Sequence, residues 1–189
     1  MNEQEYSEYV NSIITMREED RFPPYNNADY FEYTKLNASR KSRWLKTQSI
    51  SENLKQVVSK IKSPQNWIVI TEPWCADAAH NIPFIILAAR ENPLISLSFE
   101  LRDSPPNRIE QYLTGGTRSI PKLIIKDENG NDLAIWGPRP EGCQLLLNKL
   151  KEEKVEFKDL VTEIQNWYND NKGVETQAEL ASEISKTLG

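Results

Sequence analysis

Apolar positions recur at helical spacing through the first third of the chain. Tyr6, Tyr9, Val10, Ile13 and Ile14 share a face until Phe22-Pro23-Pro24-Tyr25 breaks the pattern. Tyr30, Phe31, Tyr33, Leu36, Trp44 and Leu45 then predict a second helix from about Asp29 to Leu45, with Asp29 as its N-cap. A third helix is expected from Ser51 to Lys62, carrying Leu54, Val57, Val58 and Ile61 on one face and ending before Pro64. Residues 1–50 thus read as a helical extension.

From residue 65 the period changes. Trp67-Ile68-Val69-Ile70-Thr71 is a continuous apolar run of strand length, as expected of a strand buried on both faces. Pro73-Trp74-Cys75 leads into a helix through about Arg90 that contains Pro83. Ile95, Leu97, Phe99 and Leu101 alternate with polar residues, the period of a strand. A short helix near Arg108 to Leu113 stops at Gly115-Gly116, and Pro121 to Lys126 opens another strand. Asp127-Glu128-Asn129-Gly130 is a turn, after which Asp132 to Trp136 is expected to pair back antiparallel. Glu141 to Tyr168 reads as one long helix, with Cys143, Leu150, Phe157 and Ile164 at intervals of seven on a core-facing seam. Residues 172–189 form a terminal tail, with a short helix through Leu180, Ile184 and Leu188. A β-α-β pair followed by a hairpin and a covering helix is an α/β sandwich, placed here over residues 51–171.

Composition narrows the function. In a chain of 189 residues, 38% hydrophobic content allows one ordinary domain plus the extension. A net charge of −5 argues against nucleic acid, whose phosphates demand a basic surface. Met1 to Tyr6 shows no basic and apolar leader, and no apolar run approaches the roughly 20 residues that span a bilayer, so no membrane partner is expected. Two cysteines make no disulfide framework, and with a single histidine they make no metal site. The expectation is a reducing cytoplasm and no metal or other cofactor.

The landmarks around Cys75 are more specific. Trp74-Cys75 follows a buried strand and opens a helix, and Pro83 stands eight residues after the cysteine. Ser119-Ile120-Pro121 precedes the strand Lys122 to Lys126, and Gly137 lies sixteen residues after Pro121. In order and spacing these residues resemble the thioredoxin fold over about residues 51–151, and the Trp-Cys-x-Asp-Ala motif resembles a single-cysteine bacterial subset. The resemblance implies a thioredoxin-like fold with helices on both faces of the sheet. It further implies a cis-proline at Pro121 beside the Cys75 sulfur, and extra N-terminal helices over the sheet edge where a first strand would lie.

Chemistry then centres on Cys75-Ala76-Asp77-Ala78. A dithiol site resolves its mixed disulfide with a second cysteine three residues on, and here that position is Ala78. A helix N-terminus favours the Cys75 thiolate, whereas Glu72 and Asp77 oppose it. Val69 stands where dithiol relatives carry a buried acid. His80, three residues after Asp77, either pairs with it or is a solvated surface residue. Cys143 reads as a small buried hydrophobe, with resolution of Cys75 as the alternative. Arg118 and Arg139 are candidates for an anionic partner, and Lys35, Arg40, Lys41, Arg43 and Lys46 form a basic stretch.

Two readings stand. One is a monothiol protein in which Cys75 exchanges with a protein or low-molecular-weight thiol or disulfide and an external thiol resolves it, with Trp74, Arg118, Ile120 and Pro121 shaping the docking site. The other is a redox-inactive binding module using the groove around Trp74, Pro121 and Trp136.

Overall fold

A computed structural model describes residues 1–188. Three helices come first: α1 (Glu3–Ile14), α2 (Ala28–Thr47) and α3 (Glu52–Ser59). Each is capped by a short polar side chain that satisfies free N–H groups of its first turn. Asn2 forms a reciprocal capping box with Glu5, Asn27 accepts from Asp29 and Tyr30, and Ser51 accepts from Leu54. Asn27 takes the capping role expected of Asp29, which lies inside the first turn of α2.

The sheet has the order β2-β1-β3-β4, with β1 (Gln65–Thr71), β2 (Ile95–Leu101), β3 (Lys122–Lys126) and β4 (Asp132–Trp136). β1 runs parallel to β2 and antiparallel to β3, and β3 and β4 form the hairpin. Val69 is in register with both Phe99 and Leu123, and Leu123 with Trp136. Pairing at a period of two therefore puts Trp67, Val69, Phe99, Leu123, Ile125 and Trp136 on one face. That face packs on α4 (Ala76–Arg90) and α7 (Val174–Ser185), with α3 against both helices, and Tyr6 of α1 stacks on Phe99 with ring centroids 4.8 Å apart. α4 is buried on nearly every side because it lies between the sheet and α2.

The opposite face has a thinner cover. Ile70 and Ile124 are buried there beneath Ile109 and Tyr112 of the segment after β2, whose only regular element is a single 3₁₀ turn, Arg108–Gln111. Arg108 pairs with Glu100 at 2.9 Å, and the Tyr112 hydroxyl donates to the Asp132 carboxylate, pinning the segment to both sheet edges. At the β2 edge, the main chain of Met1 donates to the Phe99 carbonyl at 3.0 Å and accepts from its N–H at 2.7 Å. These bonds satisfy part of the edge that a further strand would otherwise pair.

The single helix expected over Glu141 to Tyr168 is two helices, α5 (Glu141–Glu152) and α6 (Phe157–Asn171). Lys154 takes φ +54°, and the Val155 N–H reaches back to the Leu150 carbonyl at 3.0 Å, the closure of a left-handed helix cap. The seven-residue seam breaks there. Cys143, Leu147 and Leu150 face the core from α5, whereas Phe157 is 70% exposed. After α6, Gly173 turns the chain at φ +78°, where a Cβ would lie 2.1 Å from the Phe84 ring. α7 follows and buries Leu180 and Ile184 in the main core. No helix among the described residues is long and apolar enough to cross a membrane.

Candidate functional site

Cys75 is the N-cap of α4, in extended conformation, and its thiol donates to the Ile120 carbonyl at 3.4 Å. The Ile120–Pro121 peptide is cis, and both residues are buried. Gly137 keeps this corner tight: at φ +110° a Cβ there would lie 2.3 Å from the Pro121 carbonyl oxygen. The main-chain N–H groups of Asp77 and Ala78, in the first turn of α4, favour its anion, although neither is hydrogen-bonded to the sulfur. Burial, and secondly the Asp77 charge, outweigh them and push the thiol up to about 12. Only 7% of Cys75 is exposed. Beside it a partly open cavity of about 20 Å³ is lined by Tyr6 and Val10 of α1 and by Asn37, Ala38 and Lys41 of α2. That volume holds about one water. The N-terminal extension thus forms part of the site's cover.

Asp77 turns the other way. Its Oδ2 accepts from Arg139 Nη2 at 2.6 Å and Nε at 3.1 Å, and its Oδ1 accepts from the Tyr168 hydroxyl at 2.7 Å. Asn81 donates to that hydroxyl at 3.0 Å and accepts from Thr176 at 2.8 Å. One polar chain therefore ties α4 to α6, α7 and the loop before α5. Sequence reasoning left Asn81 and Thr176 out, and nothing in their sequence context marks them. Arg139, a candidate for an anionic partner, is occupied by Asp77 and by Gln144.

His80 is buried, correcting the expectation of a solvated residue or an Asp77 partner. Its Nδ1 accepts from the Trp44 indole N–H at 3.0 Å, its Nε2 lies 3.1 Å from Gln165 Oε1, and its ring stacks on Tyr168. An indole N–H can only donate, so the proton sits on Nε2 and the ring is neutral. Burial pulls its pKa down to about 4. Glu72 is buried too and accepts from the Asp103 N–H at 3.1 Å; burial raises its pKa.

Trp74 is half-buried against Tyr30, with Arg102 over its ring at 4.7 Å. Trp136 is buried on the helical side of the sheet, its indole donating to Glu179 at 2.7 Å, so it lines no open groove with Trp74 and Pro121. Arg118 is exposed on the loop before Ile120 and pairs with Glu110. Ala78 and Val69 are both buried and apolar. Cys143 is fully buried, and burial followed by the Asp77 charge pushes its thiol up to about 12 as well. Both cysteines are free, and no cluster of three or more His, Cys, Asp or Glu among the described residues could hold a metal.

Comparison with known proteins adds the family. A family profile described as thioredoxin matches residues 24–154. No curated protein matches the chain. Among solved structures, a protein of unknown function from Pseudomonas aeruginosa is 17% identical, with a TM-score of 0.56 over 81% of this chain and 84% of its own. An HIV epitope scaffold is 16% identical, with a TM-score of 0.56 over 97% of this chain and 98% of its own. At such identities the two structures show the shared fold, and the profile covers well over half the chain: this protein belongs to the thioredoxin family.

Proposed function

We propose that this chain is a single-thiol thioredoxin-fold protein whose Cys75 exchanges with an external disulfide. The supporting observation is the placement of the sulfur. Cys75 occupies the N-cap position of α4, at the positive end of the helix, and its thiol donates to the Ile120 carbonyl, while the position that would resolve it is Ala78. With the thiol held near pKa 12, the closed site is a poor nucleophile at neutral pH. Exchange requires a partner that displaces the α1 and α2 side chains over the sulfur and lets water reach it.

In that open form the Cys75 proton leaves to solvent and the thiolate attacks one sulfur of the partner's disulfide. The partner's S–S bond breaks, a Cys75 mixed disulfide forms, and the departing sulfur takes up a proton. A second, external thiol then attacks the partner sulfur and releases Cys75 as thiolate. The full chain incubated with oxidised glutathione and analysed by intact mass should gain one glutathione. Cys75→Ser should abolish the adduct and Cys143→Ser should not. Absence of an adduct both in the native chain and in Val10→Ala, which loosens the cover, would overturn the redox reading in favour of a binding module.

A further inference from the structure

The break between α5 and α6 folds α6 back over the first turns of α4 and leaves a partly open cavity of about 160 Å³. Its wall is mostly apolar: Leu147 from α5, and Leu160, Val161 and Ile164 from α6. Most polar groups in it are already partnered. Asp77 is held by Arg139 and Tyr168, and His80 by Trp44 and Gln165. Arg40 is the exception. It is half-buried at the cavity, its one hydrogen bond runs from Nη1 to Asn37 Oδ1 at 3.0 Å, and no carboxylate pairs with it among the described residues.

A guanidinium carries five N–H donors, so most of those of Arg40 point at no protein acceptor. Arg43, one turn further along α2, also lacks a carboxylate among the described residues and reaches only Asn169 Oδ1 at 3.1 Å. Burial and the Arg43 charge both act against the Arg40 charge. An anion at this spot would answer both. A free inorganic anion would leave the apolar wall uncovered, whereas a carboxylate with a hydrocarbon tail satisfies the guanidinium and the wall together.

We infer that this cavity binds a short aliphatic carboxylate, its carboxyl group on Arg40 and its tail against Leu147, Leu160, Val161 and Ile164. The volume equals about five waters at liquid density, which sets the tail at roughly five or six carbons. The basic stretch in the sequence takes on meaning here. Lys35 is paired with Glu32 and Lys41 lies over the Tyr6 ring, but Arg40 is turned to the cavity.

The test is calorimetric titration of the full chain with hexanoate, its neutral amide hexanamide, and acetate. Hexanoate should bind saturably with one site per chain, and both hexanamide and acetate at least tenfold more weakly. Arg40→Gln should weaken hexanoate at least tenfold while leaving hexanamide unchanged, and Ile164→Trp, which fills the cavity, should abolish both. Equal binding of hexanoate and hexanamide, acetate binding as well as hexanoate, or no hexanoate binding would each overturn the proposal. The ligand comparison uses the unmodified chain, so it holds even where Arg40→Gln fails to fold.

Discussion

On one side of the first turn of α4 the Cys75 thiol has a single weak hydrogen bond to a carbonyl, under a cover of side chains from α1 and α2. On the other side, two residues along, the Asp77 carboxylate has three hydrogen bonds and belongs to a polar chain running from Arg139 to Thr176. The sulfur is held by packing and the carboxylate by directed bonds. Packing can be displaced by a partner with little penalty beyond lost contact, whereas removing one member of a buried polar chain strands the others. Changes on the Asp77 side should therefore cost stability, and changes on the Cys75 side should alter reactivity.

The largest effect is expected for Asp77→Ala. It leaves the mostly buried Arg139 guanidinium without its anion, a loss of about 3 kcal/mol in urea unfolding. The milder Asp77→Asn also removes the charge that opposes the Cys75 thiolate, so alkylation of Cys75 should speed up. Unchanged rates in Asp77→Asn would show that burial alone controls the thiol.

His80 makes the same side sensitive to acid. Its folded pKa is depressed to about 4, below the ordinary value of 6.5, so the unfolded chain binds more protons between those pH values. The stability His80 contributes is complete above pH 6.5 and is lost as pH falls toward 4, by about 3 kcal/mol at most. The difference in unfolding free energy between the native chain and His80→Gln should shrink over that window. A constant difference would mean that the imidazole is already charged when folded.

Much of this molecule was readable from residue order, and the reasons are local. The run Trp67 to Thr71, the alternation from Ile95 to Leu101 and the turn at Gly130 each carry a period or a backbone requirement within a few residues. Trp74-Cys75, Pro83, Pro121 and Gly137 carried the family through fixed offsets. The break at Lys154 did not show, because a lysine in the left-handed region supplies neither the glycine nor the proline that marks a helix end. The polar chain was hidden for another reason. Asn81 and Thr176 lie 95 positions apart, and only the packing of α7 on α4 brings them together. For His80 the sequence misleads: spacing places it near Asp77 along the helix, while packing turns its ring to Trp44 and Gln165.

Two smaller effects are expected on the polar side and on the loop before Ile120. Asn81→Ala leaves the buried Thr176 hydroxyl without its acceptor and should cost about 2 kcal/mol in the same unfolding assay. A loss as large as that of Asp77→Ala would mean that the chain fails as a unit. Arg118→Gln, by contrast, removes an exposed pair with Glu110 and should cost about 0.5 kcal/mol. A marked change in glutathione adduct formation in that variant would give Arg118 a docking role that its placement on the loop does not require.

Cys75 is an intact but masked thiol, protonated in the closed protein. Its alkylation rate with iodoacetamide at pH 7.5, read by mass spectrometry in native buffer and in urea, tests this most directly. With a native pKa near 12 against about 8.5 for a free cysteine, native Cys75 should react at least a hundredfold more slowly than the unfolded chain. Native Cys75 reacting as fast as the unfolded thiol, or faster, would show an ionised and accessible sulfur rather than a masked one.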